Sequence, residues 1–128
     1  MIPEGLYYHS EHEWIRLDKQ VGELGITHFA QDSLGDIVYL ELPEPGAEVK
    51  RGQEIAEVES TKTASPICTP VSGKILAVNE DLKDKPELVN QDPYGKGWIM
   101  KIQLADQAEV NNLMNAASYR EFLESKTE

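Results

Sequence analysis

A mainly β fold with a short helical tail is the class this sequence predicts, on three observations. Between Val21 and about Leu104, short apolar stretches are cut at close intervals by Gly, Pro and Asn or Asp, the pattern of many short strands. After Leu104 the spacing changes, and Val110, Leu113, Met114, Ala117, Phe122 and Leu123 recur at helical intervals. With 128 residues, of which 40% are hydrophobic, the chain fits one compact domain over 1–128. Its β body is expected over about 6–104 and its helical segment over about 105–124.

The elements follow in order. In THFAQDSLG, Thr27 can cap a single helical turn that Gly35 ends. GDIVYLELPEPG reads as a strand with Ile37, Tyr39 and Glu41 on one face and Val38, Leu40 and Leu42 on the other, one face being core, before a turn from Pro43 to Gly46. AEVKRGQEIAEVE adds apolar anchors at Val49, Ile55 and Val58 around a turn at Arg51-Gly52. VESTKTAS is a hairpin, and VSGKILAVNEDL is a further strand. The stretch from Gly46 and the stretch from Val71 space valine, glycine and isoleucine alike, which points to an internal two-fold with the hairpin at one tip. DPYGKGW reads as a tight turn into a strand, and Trp14 and Trp98 as core or core-edge residues. Two short helices are expected near the C-terminus, meeting near Asn115 or Ser118, with the polar SKTE fraying after them.

Composition removes several classes of function. Twelve Lys and Arg against 23 Asp and Glu give a formal charge of −11, which repels nucleic acid and anionic membranes. Like-charged copies also avoid one another, so a monomer is expected. No apolar run approaches the roughly 20 residues that span a bilayer. The N-terminus MIPEGLYYHSEHEW lacks the basic and apolar blocks of a targeting segment, which predicts a bacterial cytoplasmic protein or, alternatively, a mitochondrial matrix protein whose presequence has been removed. Cys68, the one cysteine, rules out an intrachain disulfide and reads as a buried, inert thiol. His9, Glu11, His12 and Glu13 are close in sequence, but neighbours on a strand face opposite ways and no remote ligand pair is evident, so no metal site is expected. No nucleophile elbow or phosphate loop appears.

That leaves the hairpin, where Lys62 is central in Glu59-Ser60-Thr61-Lys62-Thr63-Ala64-Ser65. Most lysines at such tips are merely solvated, and an exposed lysine is a poor nucleophile unless a pocket lowers its pKa. The residues around Lys62 offer no such pocket; they offer access for a modifying enzyme. VESTKTAS, TPVSGKILAVNEDL and PELVNQDPYGKGWIMKI, with SEHEWIRL, GITHFAQDSLGDIVYLELPEPG and ASYREFL, together resemble the H protein family of the glycine cleavage system over nearly the whole chain. The resemblance implies a barrel-sandwich hybrid fold and lipoate joined by an amide to Lys62. It implies a non-catalytic carrier that shuttles the aminomethyl group of glycine and reducing equivalents. The implied partners are glycine decarboxylase, aminomethyltransferase, dihydrolipoyl dehydrogenase and a lipoylating enzyme.

By the same resemblance, Glu59 and Gly46 match positions that help the lipoylating enzyme recognise its acceptor: Glu59 as a docking charge, Gly46 as a backbone requirement where side chains cannot fit. Read from the residues alone, Glu59 is equally a solvated strand residue and Gly46 equally the completion of its turn. Glu13 matches a residue that holds the loaded arm's amine in a surface cleft, through a charge-assisted hydrogen bond. The chain departs from the family pattern at Thr61 and Thr63 beside the lysine, at Pro66 where an acid is common, at Glu11 where a serine is often found, and at His28 and Phe29. These departures keep open an alternative, an H-like lipoate-binding protein serving another pathway such as sulfur oxidation. A small acidic binding protein without a prosthetic group, and a biotin carrier, whose lysine typically lies between methionines, fit the sequence less well.

Overall fold

The computed structural model describes residues 2–126. Within them the chain runs β1 (Tyr7–Tyr8), β2 (Glu13–Asp18), β3 (Val21–Ile26), α1 (His28–Leu34), β4 (Ile37–Glu41), β5 (Glu48–Val49), β6 (Glu54–Ser60), β7 (Ala64–Cys68) and β8 (Gly73–Val78). It continues with α2 (Asp81–Asp84), α3 (Leu88–Gln91), β9 (Met100–Leu104), a 3-10 turn (Gln107–Asn112) and α4 (Ala116–Lys126). Six strands form one sheet in the order β1-β2-β3-β9-β8-β5, and three form another in the order β4-β6-β7. All paired strands are antiparallel; short hairpins connect β1 to β2, β2 to β3 and β6 to β7, and the remaining pairs join segments distant in sequence.

The two sheets share one core. Ile15, Leu24, Ile75 and Ile102 from the larger meet Ile37, Leu40, Val58 and Ile67 from the smaller. The expected mainly β sandwich with a helical tail is what the chain adopts, with the larger sheet left open. The two segments of similar spacing pair with each other: Glu48 opposes Lys74, Val49 opposes Gly73, and the Gly46 amide donates to the Ile75 carbonyl at 2.7 Å.

Two expectations need correction, and a third detail is new. Strict alternation put Ile37 and Tyr39 on one face of β4, but the register slips between them, so Ile37 and Leu40 both point inward at 3% exposure while Val38 and Tyr39 stand out at 52%. A β-bulge adds one residue and inverts the alternation beyond it. A second slip, between Ile75 and Ala77, turns Leu76 out and keeps Ile75 and Val78 in. The stretch after Asn79 was expected to be strand and loop, yet it holds α2 and α3, each a single turn whose one buried side chain, Leu82 or Val89, anchors it to the core. Elements of four residues are too short for periodicity to reveal.

The tail contains two helical pieces, as expected, the first of them 3-10; they are separated at Leu113 to Asn115, where Met114 bridges to Tyr8. Ser125 and Lys126 close α4, while Thr127 and Glu128, the rest of the segment expected to fray, lie outside the described residues. α4 caps a second, aromatic core of Leu6, Tyr8, Trp14, Tyr94, Ala116 and Tyr119. Tyr8 and Tyr119 stack at 4.7 Å, and the buried Trp14 donates its indole N–H to the Pro93 carbonyl at 3.0 Å. Trp98 lies at the core edge beneath the Lys101 ammonium. Among the described residues no helix is long and apolar enough to cross a membrane.

Candidate functional site

The hairpin between β6 and β7 is built by one hydroxyl. Glu59 opposes Ala64 as the last ladder pair, and the Ser60 amide closes the turn on the Thr63 carbonyl at 2.8 Å. Ser60 Oγ then accepts from the amides of Lys62 and Thr63, both at 3.1 Å, which satisfies the amides the turn leaves unpaired. The turn thus spends its polar groups on itself and leaves Lys62 exposed at the apex. Ser60 was not singled out from the sequence, although a serine two residues before the apex of a polar turn is a known turn-former.

The apex does not float. The Thr61 amide donates to the Asp36 carbonyl at 3.0 Å, which ties the hairpin to the bend after α1. Gly35 ends α1 with a φ of +86°, its amide donating to the Gln31 carbonyl. A Cβ at Gly35 would lie 3.3 Å from Lys62 Cε, so glycine serves both the left-handed backbone and the space in which the lysine stem lies. Among the described residues Lys62 is in no ion pair.

Glu59 is half-buried on the outer face of the smaller sheet, opposite Tyr39 and on the same face as the likewise half-buried Glu57. Gly46 is elsewhere: it follows the end of β4 away from the hairpin, in a turn with a φ of +93° and nothing within 4 Å of where a Cβ would be. The expectation that side chains cannot fit at Gly46 is therefore wrong, and its requirement is the left-handed backbone conformation. Pro66 sits on β7, an edge strand, where its missing N–H costs no ladder bond.

Glu13 opens β2 at 3% exposure, with one carboxylate oxygen 2.7 Å from His9 Nδ1. Burial pushes the Glu13 carboxyl above its ordinary range despite that bond, while the bond to Glu13 raises His9. Both shifts favour a proton held between the two. Glu13 pairs with Ile26, immediately before Thr27, whose hydroxyl caps α1 by accepting from the Ala30 amide at 3.2 Å. Glu13 and Lys62 accordingly lie near opposite ends of α1, whose seven residues rise about 10 Å. Phe29 of α1 packs on the His12 ring at 4.7 Å, and Tyr119 from α4 bonds both His12 and Thr27 at 2.8 Å.

The histidines and acids of the N-terminal segment are thus committed to different partners, His9 to Glu13 and His12 to Tyr119. Cys68 is half-exposed instead of buried, on the edge strand; desolvation and the nearby Glu11, Glu13 and Glu54 carboxylates raise its thiol pKa, which lowers its thiolate fraction.

Comparison with known proteins gives one result throughout. The family model for the glycine cleavage H-protein matches residues 6–126. The glycine cleavage system H protein of Symbiobacterium thermophilum is 52% identical over 121 residues, covering 94% of each chain. That of Carboxydothermus hydrogenoformans is 48% identical over 128 residues, covering 100% of this chain and 98% of its own. The crystal structure of a glycine cleavage system H protein from Mycobacterium marinum superposes with a TM-score of 0.87 at 38% identity, over 94% of this chain and 97% of that one.

Proposed function

The chain belongs to the glycine cleavage H-protein family, and from that membership we propose that it is the lipoyl carrier of a glycine cleavage system, with Lys62 as the point of attachment. The observation that carries the choice of residue is the hairpin itself: Lys62 is exposed at an apex that is ordered by Ser60 and anchored by Thr61. A modifying enzyme needs a lysine it can engulf, on a backbone already in one conformation. An amide at Nζ removes the lysine's charge, and that charge holds no ion pair among the described residues, so its loss breaks none. When bound, lipoate supplies a dithiolane that can be opened by a transferred group or by electrons and closed again by reoxidation.

What the chain's own residues contribute is position and shelter. Gly35 leaves room for the stem of Lys62, and α1 provides a floor from there to Glu13. Glu13 is the proposed acceptor for a cationic amine arriving at that end, where a carboxylate in low-dielectric surroundings attracts a positive charge more strongly than one in water. His9 already occupies one of its oxygens, so the amine must use the other or displace the imidazole. Glu59 is the proposed recognition charge for the lipoylating enzyme, three residues from Lys62 on the outer face of β6. Gly46 is proposed to serve the same recognition through the shape of its turn.

The carrier does no chemistry of its own in this reading; the decarboxylase, aminomethyltransferase, dihydrolipoyl dehydrogenase and lipoylating enzyme act on it in turn. The relatives named above are bacterial, which favours the bacterial cytoplasm over a mitochondrial matrix. Their names favour glycine cleavage over the alternative of a carrier for sulfur oxidation, despite Thr61 and Thr63. Intact mass of the protein made with lipoate supplied tests the attachment: one lipoyl adduct is expected on the wild type and none on Lys62→Ala. An adduct that survives in Lys62→Ala, or its absence from the wild type, defeats the assignment. Glu59→Ala is expected to slow lipoylation without lowering the melting temperature, and unchanged kinetics would remove Glu59 from recognition.

A further inference from the structure

We propose that Asn90 is a positioning residue for Lys62, holding the shelf against which the lysine hairpin docks. Asn90 lies in α3, far from Lys62 in sequence, and its side-chain amide is fully used. Its Oδ1 accepts from the Ile37 amide at 2.9 Å, and its Nδ2 donates to the Gly35 carbonyl at 2.9 Å and to Gln31 Oε1 at 2.8 Å. The orientation of that amide is fixed by its partners, because a backbone N–H can only donate and a carbonyl can only accept.

These bonds straddle the bend Gly35-Asp36-Ile37. One partner closes α1, another starts β4, and between them the Asp36 carbonyl receives the Thr61 amide at 3.0 Å. Gly35 itself is the surface over which the Lys62 stem lies. α3 is in turn anchored by Val89, fully buried in the core. The chain of contact runs from the core through Val89 and Asn90 to the bend, and from the bend to the Thr61 amide and the stem of Lys62. Without Asn90 the bend loses two hydrogen bonds at once, at Gly35 and Ile37, and α1 loses a third at Gln31; the hairpin keeps its internal turn but loses a fixed place to rest. The functional consequence rests on the reading of Lys62 as the attachment point; the structural one does not.

The test uses the full chain as Asn90→Ala and as Asn90→Asp, the latter isosteric, retaining the acceptor for Ile37 and deleting both donors, in case the alanine variant does not fold. With lipoate, ATP and a lipoate ligase, KM for the carrier is expected to rise about fivefold to tenfold, the worth of roughly one ordering hydrogen bond, while kcat stays within about twofold. In amide exchange, Thr61 is expected to lose protection while Ser60, bonded inside the hairpin to Thr63, keeps it. Unchanged KM and unchanged Thr61 protection in a folded variant overturn the proposal. Equal loss of protection at Ser60 and Thr61 also overturns it, since that is what general destabilisation gives. If the wild type takes no lipoate, the reading of Lys62 fails, and the exchange of Thr61 still decides whether Asn90 holds the hairpin.

Discussion

At the scale of single residues, the His9–Glu13 pair carries a pH dependence whose sign follows from its geometry. His9 is raised above its ordinary 6.5 by the bond to Glu13. Its contribution to stability is therefore complete below that value and is lost as pH rises through the folded-state value. His9→Ala is expected to cost about 1.5 to 3 kcal/mol in denaturant unfolding at pH 6, the range for a hydrogen bond to a charged group, and distinctly less at pH 9. A cost that is flat across that range would mean the pair does not share a proton. Ser60→Ala removes the acceptor for two turn amides and is expected to cost about 1 kcal/mol and to slow lipoylation. Lys62 was legible as an exposed hairpin residue, but its special standing came from the resemblance, since nothing in local chemistry separates it from other solvated lysines. Asn90 and Ser60 were not legible, because their partners are set by tertiary contact or by a turn whose geometry one sequence does not reveal.

At the scale of elements, the departures from expectation are all places where one residue too many or an element too short defeats a periodic reading. β4 and β8 were legible as strands, but their bulges were not, so Val38 and Tyr39 were assigned to opposite faces although both stand outward, and the outward turn of Leu76 was not assigned. The ends of α1 were legible because their signals are local, a Thr27 cap and a Gly35 stop, although the single turn expected is a helix of seven residues. The smaller sheet pays a visible electrostatic cost: Glu41 directly opposes Glu57. Like charges across a strand pair are destabilising, so Glu57→Lys is expected to raise stability by about 0.5 kcal/mol in thermal melts, with the effect shrinking in high salt. In the tail, Tyr119→Phe keeps the stack on Tyr8 and deletes the bonds to His12 and Thr27. It is expected to cost about 1 to 3 kcal/mol, because the buried Thr27 and the half-buried His12 each lose a hydrogen bond, and chemical denaturation measures it directly.

At the scale of the whole molecule, two cores meet along β2, the aliphatic one between the sheets and the aromatic one under α4. A mainly β body was foreseeable from many short strands and its sandwich form from the resemblance, whereas the pairing order was not legible in the strands, since β3 beside β9 joins segments that no local pattern connects. A net charge of −11 acts on the molecule as a whole: self-repulsion weakens the compact state, so added sodium chloride is expected to raise the melting temperature until screening is complete. The same structure sets a rule for which changes of length the chain can absorb. α1 starts beside the buried acid and stops under the lysine, so it acts as a ruler between them. One residue inserted within it would swing the Gly35 end by about 100°, turning the shelf away from the hairpin even if every other contact reformed. The exposed turn between β2 and β3 accepts from the Gln107 side chain at Lys19 and from the Leu104 amide at Gln20, but it sets no distance to the lysine and should lengthen at smaller cost. Insertions and deletions should therefore be permitted at that turn and forbidden in the seven residues of α1, a contrast that a library of single-residue insertions would display directly.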